Sequence, residues 1–108
     1  MIDGKITIGG VEHPYRRSLA AWNNFDLKFK HEGVSVLRLG EVQLSVEHIA
    51  SLLYFVIEAG YKAEKREFNM TFDEFLDAAS DKDLQAFNVS VMGVGGGDSS
   101  STAGEKKT

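Results

Sequence analysis

The feature that most constrains the fold is the segment of residues 45–59, whose apolar side chains extend almost around the whole circumference of a helix. Its main stripe has three- and four-residue spacing and consists of Val46, Ile49, Ala50, Leu53, Val56 and Ile57. A helix that is apolar on nearly all sides lies at the centre of a core or is buried in a partner. Ser45 is the expected N-cap, and Gly60 is the expected end of this helix.

A β-hairpin is predicted near the start of the chain, where residues 6–8 and 11–13 flank Gly9-Gly10. Two glycines suit a type I′ turn, because both of its central positions need positive φ. Pairing Ile8 with Val11 places one set of side chains on a common face, namely Ile6, Ile8, Val11, His13 and Tyr15. Pro14 cannot donate a ladder hydrogen bond, so the second strand is an edge strand or ends there.

A first helix is predicted from its N-cap, Ser18, to about His31, with Gly33 just beyond it as a stop signal. Its core face should carry Leu19, Trp22, Phe25 or Asp26, and Phe29. Residues 34–44 have a less regular pattern. They are consistent with a short strand or with an apolar loop packed on the core.

Two shorter helices are predicted toward the C-terminal end. Thr71 and Glu74 have the spacing of a capping box, and Ser80 is a second candidate N-cap before Leu84 and Phe87. Residues 87–91 also alternate as a strand would, but we favour a helix. The whole pattern predicts an α+β fold, with an N-terminal β-hairpin packed on three to four helices.

The chain is expected to form one globular domain over residues 1–92, followed by a flexible tail over residues 93–108. Those last 16 residues hold five of the eleven glycines and no aromatic residue. Such a composition cannot bury enough apolar surface to offset the entropy lost on ordering the backbone.

Composition argues against several kinds of function. The chain has no cysteine, which excludes disulfides and thiolate chemistry, and a net charge of −4, which disfavours nucleic-acid binding. The longest apolar run, residues 49–57, is too short to span a membrane, and no signal peptide is visible. We therefore expect neither a nucleic-acid nor a membrane partner.

The titratable residues do not form a recognisable catalytic, cofactor or metal site. His13 lies on the apolar face of the hairpin and is interpreted as a satisfied rim histidine, while His48 is interpreted as polar surface in a first helical turn. The acidic residues between positions 73 and 83 fall near helix N-termini, where the helix dipole favours carboxylates. The glycines of residues 93–97 lack the lysine and the helix of a phosphate-binding loop.

Five residues are candidates for a partner interface. Leu52, Tyr54 and Phe55 extend the apolar surface of the central helix beyond what three neighbouring elements would cover. Arg16 and Arg17 lie near Tyr15 and Trp22, a pairing that could stack on a base or a peptide. The alternative is that the apolar residues belong to the core and that the arginines pair with nearby carboxylates.

The order of motifs along the chain resembles that of phage tail assembly chaperones. Residues 12–19 (EHPYRRSL) resemble that family's E-Y-P-F-R-F-S-Y/L segment, with Arg17 in place of an aromatic residue, and residues 20–25 resemble its first helix. Residues 44–54 are similar to its S-L-E-D-L-A-x-L-L-Y segment, and residues 71–77 to its T-x-E-E-V/F-x-D element.

This resemblance implies a non-enzymatic factor in the host cytoplasm that keeps the tape measure protein soluble and recruits tail tube subunits. It also implies that a longer, frameshifted product can accompany the short one. Self-association is a further expectation. The alternative is a structural tail or head–tail component that is retained in the virion.

Overall fold

An antiparallel hairpin and four α-helices make up the described part of the chain in this computed structural model, which covers the backbone of residues 1–90 and the side chains of residues 1–87. The elements are β1 (Gly4–Ile8), β2 (Val11–Tyr15), α1 (Leu19–Lys28), α2 (Val46–Ala63), α3 (Phe72–Ala78) and α4 (Asp81–Ser90). Two 3₁₀ helices, Lys30–Glu32 and Val36–Glu41, connect α1 to α2. The predicted α+β fold with an N-terminal hairpin on helices is confirmed.

The hairpin has the predicted register, with Ile8 opposite Val11 and Ile6 opposite His13. Gly9 and Gly10 have φ angles of 58° and 84°, as the tight turn requires. Ile6, Ile8 and His13 are buried, so the predicted face is the one that packs on the helices. Val11 belongs to the same face by register but lies next to the turn, where it is exposed.

Helix α2 is the centre of the fold, because the hairpin, α1, α3 and α4 all pack on it. Its buried residues are His48, Ala50, Ser51, Leu52, Leu53, Val56, Ile57 and Gly60. Val46, predicted for the core stripe, is instead 64% exposed in the first turn. The apolar circumference read from the sequence thus reflects a helix surrounded by its own chain along most of its length.

The prediction that α2 ends at Gly60 is wrong, since the helix continues to Ala63. Gly60 is needed for packing: a Cβ there would lie 2.6 Å from the Cα of Tyr15 and would also overlap the carbonyl of Pro14. In the same region, the backbone N–H of Arg16 donates to the carbonyl of Val56 at 2.8 Å. The end of β2 therefore lies directly against the helix backbone.

Helix α1 begins as predicted, because the hydroxyl of Ser18 accepts a hydrogen bond from the backbone N–H of Ala21. It ends at Lys28, earlier than predicted, and a 3₁₀ turn continues to Gly33, whose φ is 72°. Phe25 and Phe29 are buried as predicted, but Leu19 is 84% exposed. Ala21, which is one helical turn before Phe25, takes the core position instead.

Residues 34–44 do not form a strand, and Val36–Glu41 is a 3₁₀ helix. Val34, Val36 and Leu39 pack on the core, as the alternative of an apolar loop packed on the core predicts. The carboxylate of Asp26 on α1 holds the start of this helix. It accepts hydrogen bonds from the backbone N–H of Val36 at 2.9 Å and from the hydroxyl of Ser35 at 3.1 Å. The Asp26 side chain thus satisfies the backbone N–H of Val36, and no neighbouring β-strand is needed to accept that hydrogen bond.

The N-termini of α3 and α4 are capped as predicted. Thr71 and Glu74 form a reciprocal capping box, and Ser80 and Asp83 exchange the equivalent pair of hydrogen bonds. The helical interpretation of the segment containing Phe87 is confirmed as far as Ser90. The predicted flexible tail, residues 93–108, and the last two residues of the predicted domain lie outside the described residues.

The sequence predicted the environment of His13 correctly and that of His48 incorrectly. His13 is buried and its Nδ1 lies 2.7 Å from the hydroxyl of Tyr61, so it is a satisfied histidine as expected. His48 was expected on the surface but is buried. Its Nδ1 accepts a hydrogen bond from the backbone N–H of Ser45 at 3.0 Å, and its Nε2 lies 2.9 Å from Glu32 Oε1. His48 is therefore part of the capping box of α2.

Within residues 1–90, no single helix has the length and hydropathy of a membrane span, although the bent pair Lys30–Glu41 and Val46–Ala63, at 84° to each other, meets both limits when counted together.

Candidate functional site

A surface groove of about 270 Å³ lies between α1 and the C-terminal half of α2. It is lined by Arg16, Ser18, Ala20, Ala21, Asn24, Phe55, Glu58, Ala59, Lys62 and Ala63. We call it the α1–α2 groove. Two of the five residues predicted for a partner interface, Arg16 and Phe55, lie in it.

The groove arises because the facing side chains of two antiparallel helices are small. The end of α1 lies near the start of α2, where Lys28 Nζ is 4.0 Å from Glu47 Oε2. At the other end, the start of α1 and the last turns of α2 contribute four alanines to the lining: Ala20, Ala21, Ala59 and Ala63. Alanine methyl groups leave a channel between the helix backbones. The half-buried ring of Phe55 adds the largest apolar surface in that channel.

The charged residues of the groove are two cations, Arg16 and Lys62, and one carboxylate, Glu58. Within residues 1–87, neither cationic side chain forms a hydrogen bond or a salt bridge. The backbone of Arg16 is held by its hydrogen bond to the Val56 carbonyl, which fixes the position from which its side chain extends. The groove therefore combines an apolar floor with two cations and one carboxylate, and the charge of Arg16 also acts on the Asp3 carboxyl.

The interface prediction is wrong for Leu52. Its side chain is only 2% exposed and belongs to the core cluster. Three neighbouring elements, the number expected from the sequence, would leave part of the helix uncovered. Four elements pack on α2 instead, so Leu52 belongs to the core.

Tyr54 is half-buried and makes its contacts within its own chain. Its hydroxyl donates to the carbonyl of Met70 at 2.8 Å, and its ring centroid lies 5.3 Å from that of Phe68 and 5.4 Å from that of Phe72. Burial, reinforced by the charges of nearby carboxylates, raises the pKa of the Tyr54 phenol. Tyr54 attaches α3 and the preceding segment to α2 and does not line the groove.

Arg17 contacts Asp3 near the N-terminus of the fold. Its backbone N–H donates to Asp3 Oδ2 at 2.7 Å, and its Nε lies 3.5 Å from the same oxygen. The backbone hydrogen bond is the main cause that lowers the pKa of the Asp3 carboxyl. Arg17 is therefore placed beside Asp3 and does not line the groove.

Most of the groove residues, including Asn24, Glu58 and Ala59, were not predicted as site residues from the sequence. The available signal was their helical spacing. Phe55, Ala59 and Ala63 follow one another at four-residue intervals, and so do Ala20 and Asn24. Small side chains at this spacing on two helices mark faces that approach closely, but the sequence does not say which faces meet.

The groove suits side chains of another protein better than a small molecule. Pockets that hold small ligands enclose roughly 300–1,000 Å³, and this groove is smaller than that range and open along the surface. In the part of the chain that the structure describes, no three His, Asp or Glu side chains are grouped so as to hold a metal ion. The chemistry that the groove offers is apolar contact plus charge pairing.

Comparison with known proteins adds no relative to this description. No family model, no curated protein and no solved structure matches the chain.

Proposed function

We propose that the chain is a non-enzymatic phage tail assembly chaperone that acts in the host cytoplasm, keeps the tape measure protein soluble and helps to recruit tail tube subunits. The observation that carries the binding role is the α1–α2 groove, with its apolar floor and its cations Arg16 and Lys62, neither of which forms a salt bridge with the residues that the structure describes. The identity of the client comes from the resemblance of the motif order to that of the chaperone family.

The shape of the groove supports a helical client. Helices pack by placing the side-chain ridges of one in the grooves of another, at interaxial distances of 8–10 Å that depend on the size of the contacting side chains. The alanines at the groove allow a third helix to approach closely. The tape measure protein is expected to be a very long helical protein, so its segments have the form that the groove fits.

The size of the groove supports reversible binding. A chaperone has to release its client during assembly, and interfaces that bury less than about 1,200 Å² in total belong to the weak and transient class. Ten residues line the groove, fewer than the 20–30 that one partner contributes to a standard interface. Each contact is therefore expected to be weak, and holding a long client would require several copies.

The proposal is tested by co-expressing the full chain with the tape measure protein and measuring the soluble fraction of the client. Wild type should raise that fraction, and Arg16→Glu with Lys62→Glu should lower it again. Lys30→Glu with Lys82→Glu is the matched control, because it changes the net charge equally at exposed positions outside the groove lining. If wild type leaves the client insoluble, the proposed function is wrong.

Mass spectrometry of purified phage particles separates this function from the structural alternative. A chaperone should be absent from the particles, whereas a structural tail or head–tail component should be present in stoichiometric amount. Detection at the level of the tail tube subunit would overturn the chaperone assignment.

A further inference from the structure

We propose that the free edge of β1 pairs with an extended, acidic segment of a partner protein, which adds a third strand to the hairpin. The sheet has two strands, in the order β1-β2. Helix α2 packs on β2, whereas β1 packs on β2 and on α4. Within residues 1–90, β1 therefore has no strand neighbour on its second edge.

The register of the hairpin shows which backbone groups of β1 point to that edge. A two-residue turn makes its flanking residues, Ile8 and Val11, a hydrogen-bonded pair, and such pairs alternate with non-hydrogen-bonded ones. Thr7 and Lys5 are at the non-hydrogen-bonded positions, so their N–H and C=O groups point away from β2. Pro14 lies opposite Lys5, which fits this alternation because proline has no N–H to donate to a ladder.

These outward groups have no partner in the described part of the chain. Apart from the ladder with β2, the backbone groups of Lys5 and Thr7 form no hydrogen bond there, and both residues are exposed. Gly9, the next residue at the same two-residue spacing, differs because its N–H donates to Asp83 Oδ2 at 3.1 Å. Helix α4 thus occupies the turn end of β1. The N–H and C=O groups of Lys5 and Thr7 remain available to an added strand.

The side chain of Lys5 indicates the charge of the partner. When a peptide adds to a sheet edge, main-chain hydrogen bonds give affinity and the alternate side chains give specificity. Lys5 Nζ is 4.0 Å from Glu12 Oε1, and the Lys5 side chain is 54% exposed, so its charge remains accessible from the free edge. Opposite charges directly across two strands stabilise their pairing, and like charges destabilise it. A carboxylate opposite Lys5 is therefore favoured.

A second copy of β1 is a poorer occupant of this edge. Pairing β1 with itself places two Lys5 ammonium groups on the same face of the enlarged sheet, and lysines on edge strands oppose such pairing. The α1–α2 groove is not involved either, because none of its lining residues belongs to β1. The inference therefore goes beyond the proposed function and does not depend on it.

The first test titrates the ¹⁵N-labelled full chain with a capped peptide of about seven alternating valine and glutamate residues, up to about 1 mM. The amide resonances of Lys5 and Thr7 should shift and saturate, whereas those of Ala20 and Ala59 in the groove should not. A valine–lysine peptide should bind at least about twofold more weakly. Absence of shifts at Lys5 and Thr7, or equal binding of the two peptides, overturns the proposal.

N-methylated peptides show whether binding occurs by strand pairing. In an added strand, alternate N–H groups point to β1. N-methylation of all valines or of all glutamates therefore removes either the pairing donors or the outward ones. One of these two peptides should bind at least about tenfold more weakly, and the other should bind like the parent. Equal behaviour of the two peptides rejects strand pairing.

Hydrogen exchange of the free chain tests whether the edge is open. The amides of Lys5 and Thr7 should exchange faster than those of Ile6 and Ile8, which belong to the hydrogen-bonded pairs. Equally slow exchange at Lys5 and Thr7 would show that another part of the chain or a second copy already covers the edge. That result would also overturn the proposal.

Substitutions test the edge from the side of the protein. Thr7→Pro removes an outward donor and should weaken peptide binding at least about tenfold. Glu12→Pro is the matched control, because Glu12 is the residue paired with Thr7 and its N–H points to the opposite edge. Normal binding by a folded Thr7→Pro variant rejects the site.

A charge substitution completes the test without a proline, which can prevent folding. Lys5→Glu should reverse the preference between the glutamate and lysine peptides. Lys30→Glu makes the same change in net charge at an exposed position outside β1 and should leave the preference unchanged. Circular dichroism confirms that both variants are folded. An unchanged preference in Lys5→Glu overturns the assignment of an acidic partner to this edge.

Discussion

The carboxylate of Asp83 holds the turn of the hairpin, although Gly9 lies 74 residues away in sequence: Gly9 N donates to Asp83 Oδ2 at 3.1 Å. The same oxygen accepts the backbone N–H of Ser80 at 3.0 Å. One carboxylate therefore caps α4 and joins it to β1. The carbonyl of Ala78 also lies close to the turn, and a Cβ on Gly9 would approach its oxygen to 2.7 Å.

Asp83→Ala should destabilise the fold by about 0.5–2 kcal/mol, the range seen when a capping side chain is removed. The substitution removes acceptors for two backbone N–H groups, those of Gly9 and Ser80. Urea unfolding followed by circular dichroism measures the change. Asp81→Ala is the control, because Asp81 is exposed in the same helix, and it should cost less. Equal costs would show that neither of the two hydrogen bonds to Asp83 contributes measurably.

Gly60→Ala should destabilise the fold by about 1–3 kcal/mol, as overpacking does, even though alanine favours a helix by about 1 kcal/mol over glycine. The added methyl group would meet the backbone of Pro14 and Tyr15, which cannot move aside as a flexible side chain can. Gly40→Ala is the matched control, since no atom lies within 4 Å of its Cβ position. A neutral or stabilising Gly60→Ala would contradict the close approach of β2 to α2.

Lowering the pH below 6.5 should reduce stability through His13. Burial, with a smaller contribution from the charge of Arg66, lowers the pKa of His13 below its ordinary value of 6.5. The unfolded chain then binds a proton more readily than the folded one, so stability rises with pH between the folded pKa and 6.5 and is constant above it. Urea midpoints at pH 7.5 and 5.5 should differ less in His13→Leu than in wild type. In His31→Gln, which alters an exposed histidine, the difference should persist.

Trp22→Ala should cost less stability than Phe25→Ala, because Trp22 is only half-buried beside the core, whereas Phe25 is fully buried. Removal of a buried phenylalanine costs about 3–5 kcal/mol through lost transfer energy and the cavity that remains. Thermal or urea unfolding of the two variants gives the comparison. An equal or larger loss for Trp22→Ala would place it among the main anchors of the fold.

Much of the local structure was readable from the sequence because the interactions that fix it span only a few residues. The Gly9-Gly10 turn, the Ser18 cap and the capping box of Thr71 with Glu74 each depend on hydrogen bonds or φ angles within a short segment. The α+β class follows from these elements and from their apolar faces. A hairpin and helices with one apolar side each have few ways to bury those sides in a domain of this size.

The candidate site was only partly readable, because its members act through neighbours that are distant in sequence. Arg16 and Phe55 were named in advance, but the groove that joins them exists only where α1 and α2 meet. Leu52 and Phe55 lie three residues apart on one apolar helix, and only the tertiary packing decides that the first is core and the second lines the groove.

The sequence by itself determined the secondary structure signals, the starts of the helices and the apolar character of α2 on nearly all sides. Tertiary structure decided what each ambiguous residue does. Gly60 reads as a helix end but serves the contact with β2, and His48 reads as surface but is buried beside Glu32. The physical reason is that a hydrogen bond or a steric limit between remote segments has no periodicity in the sequence and arises only when the chain brings them together.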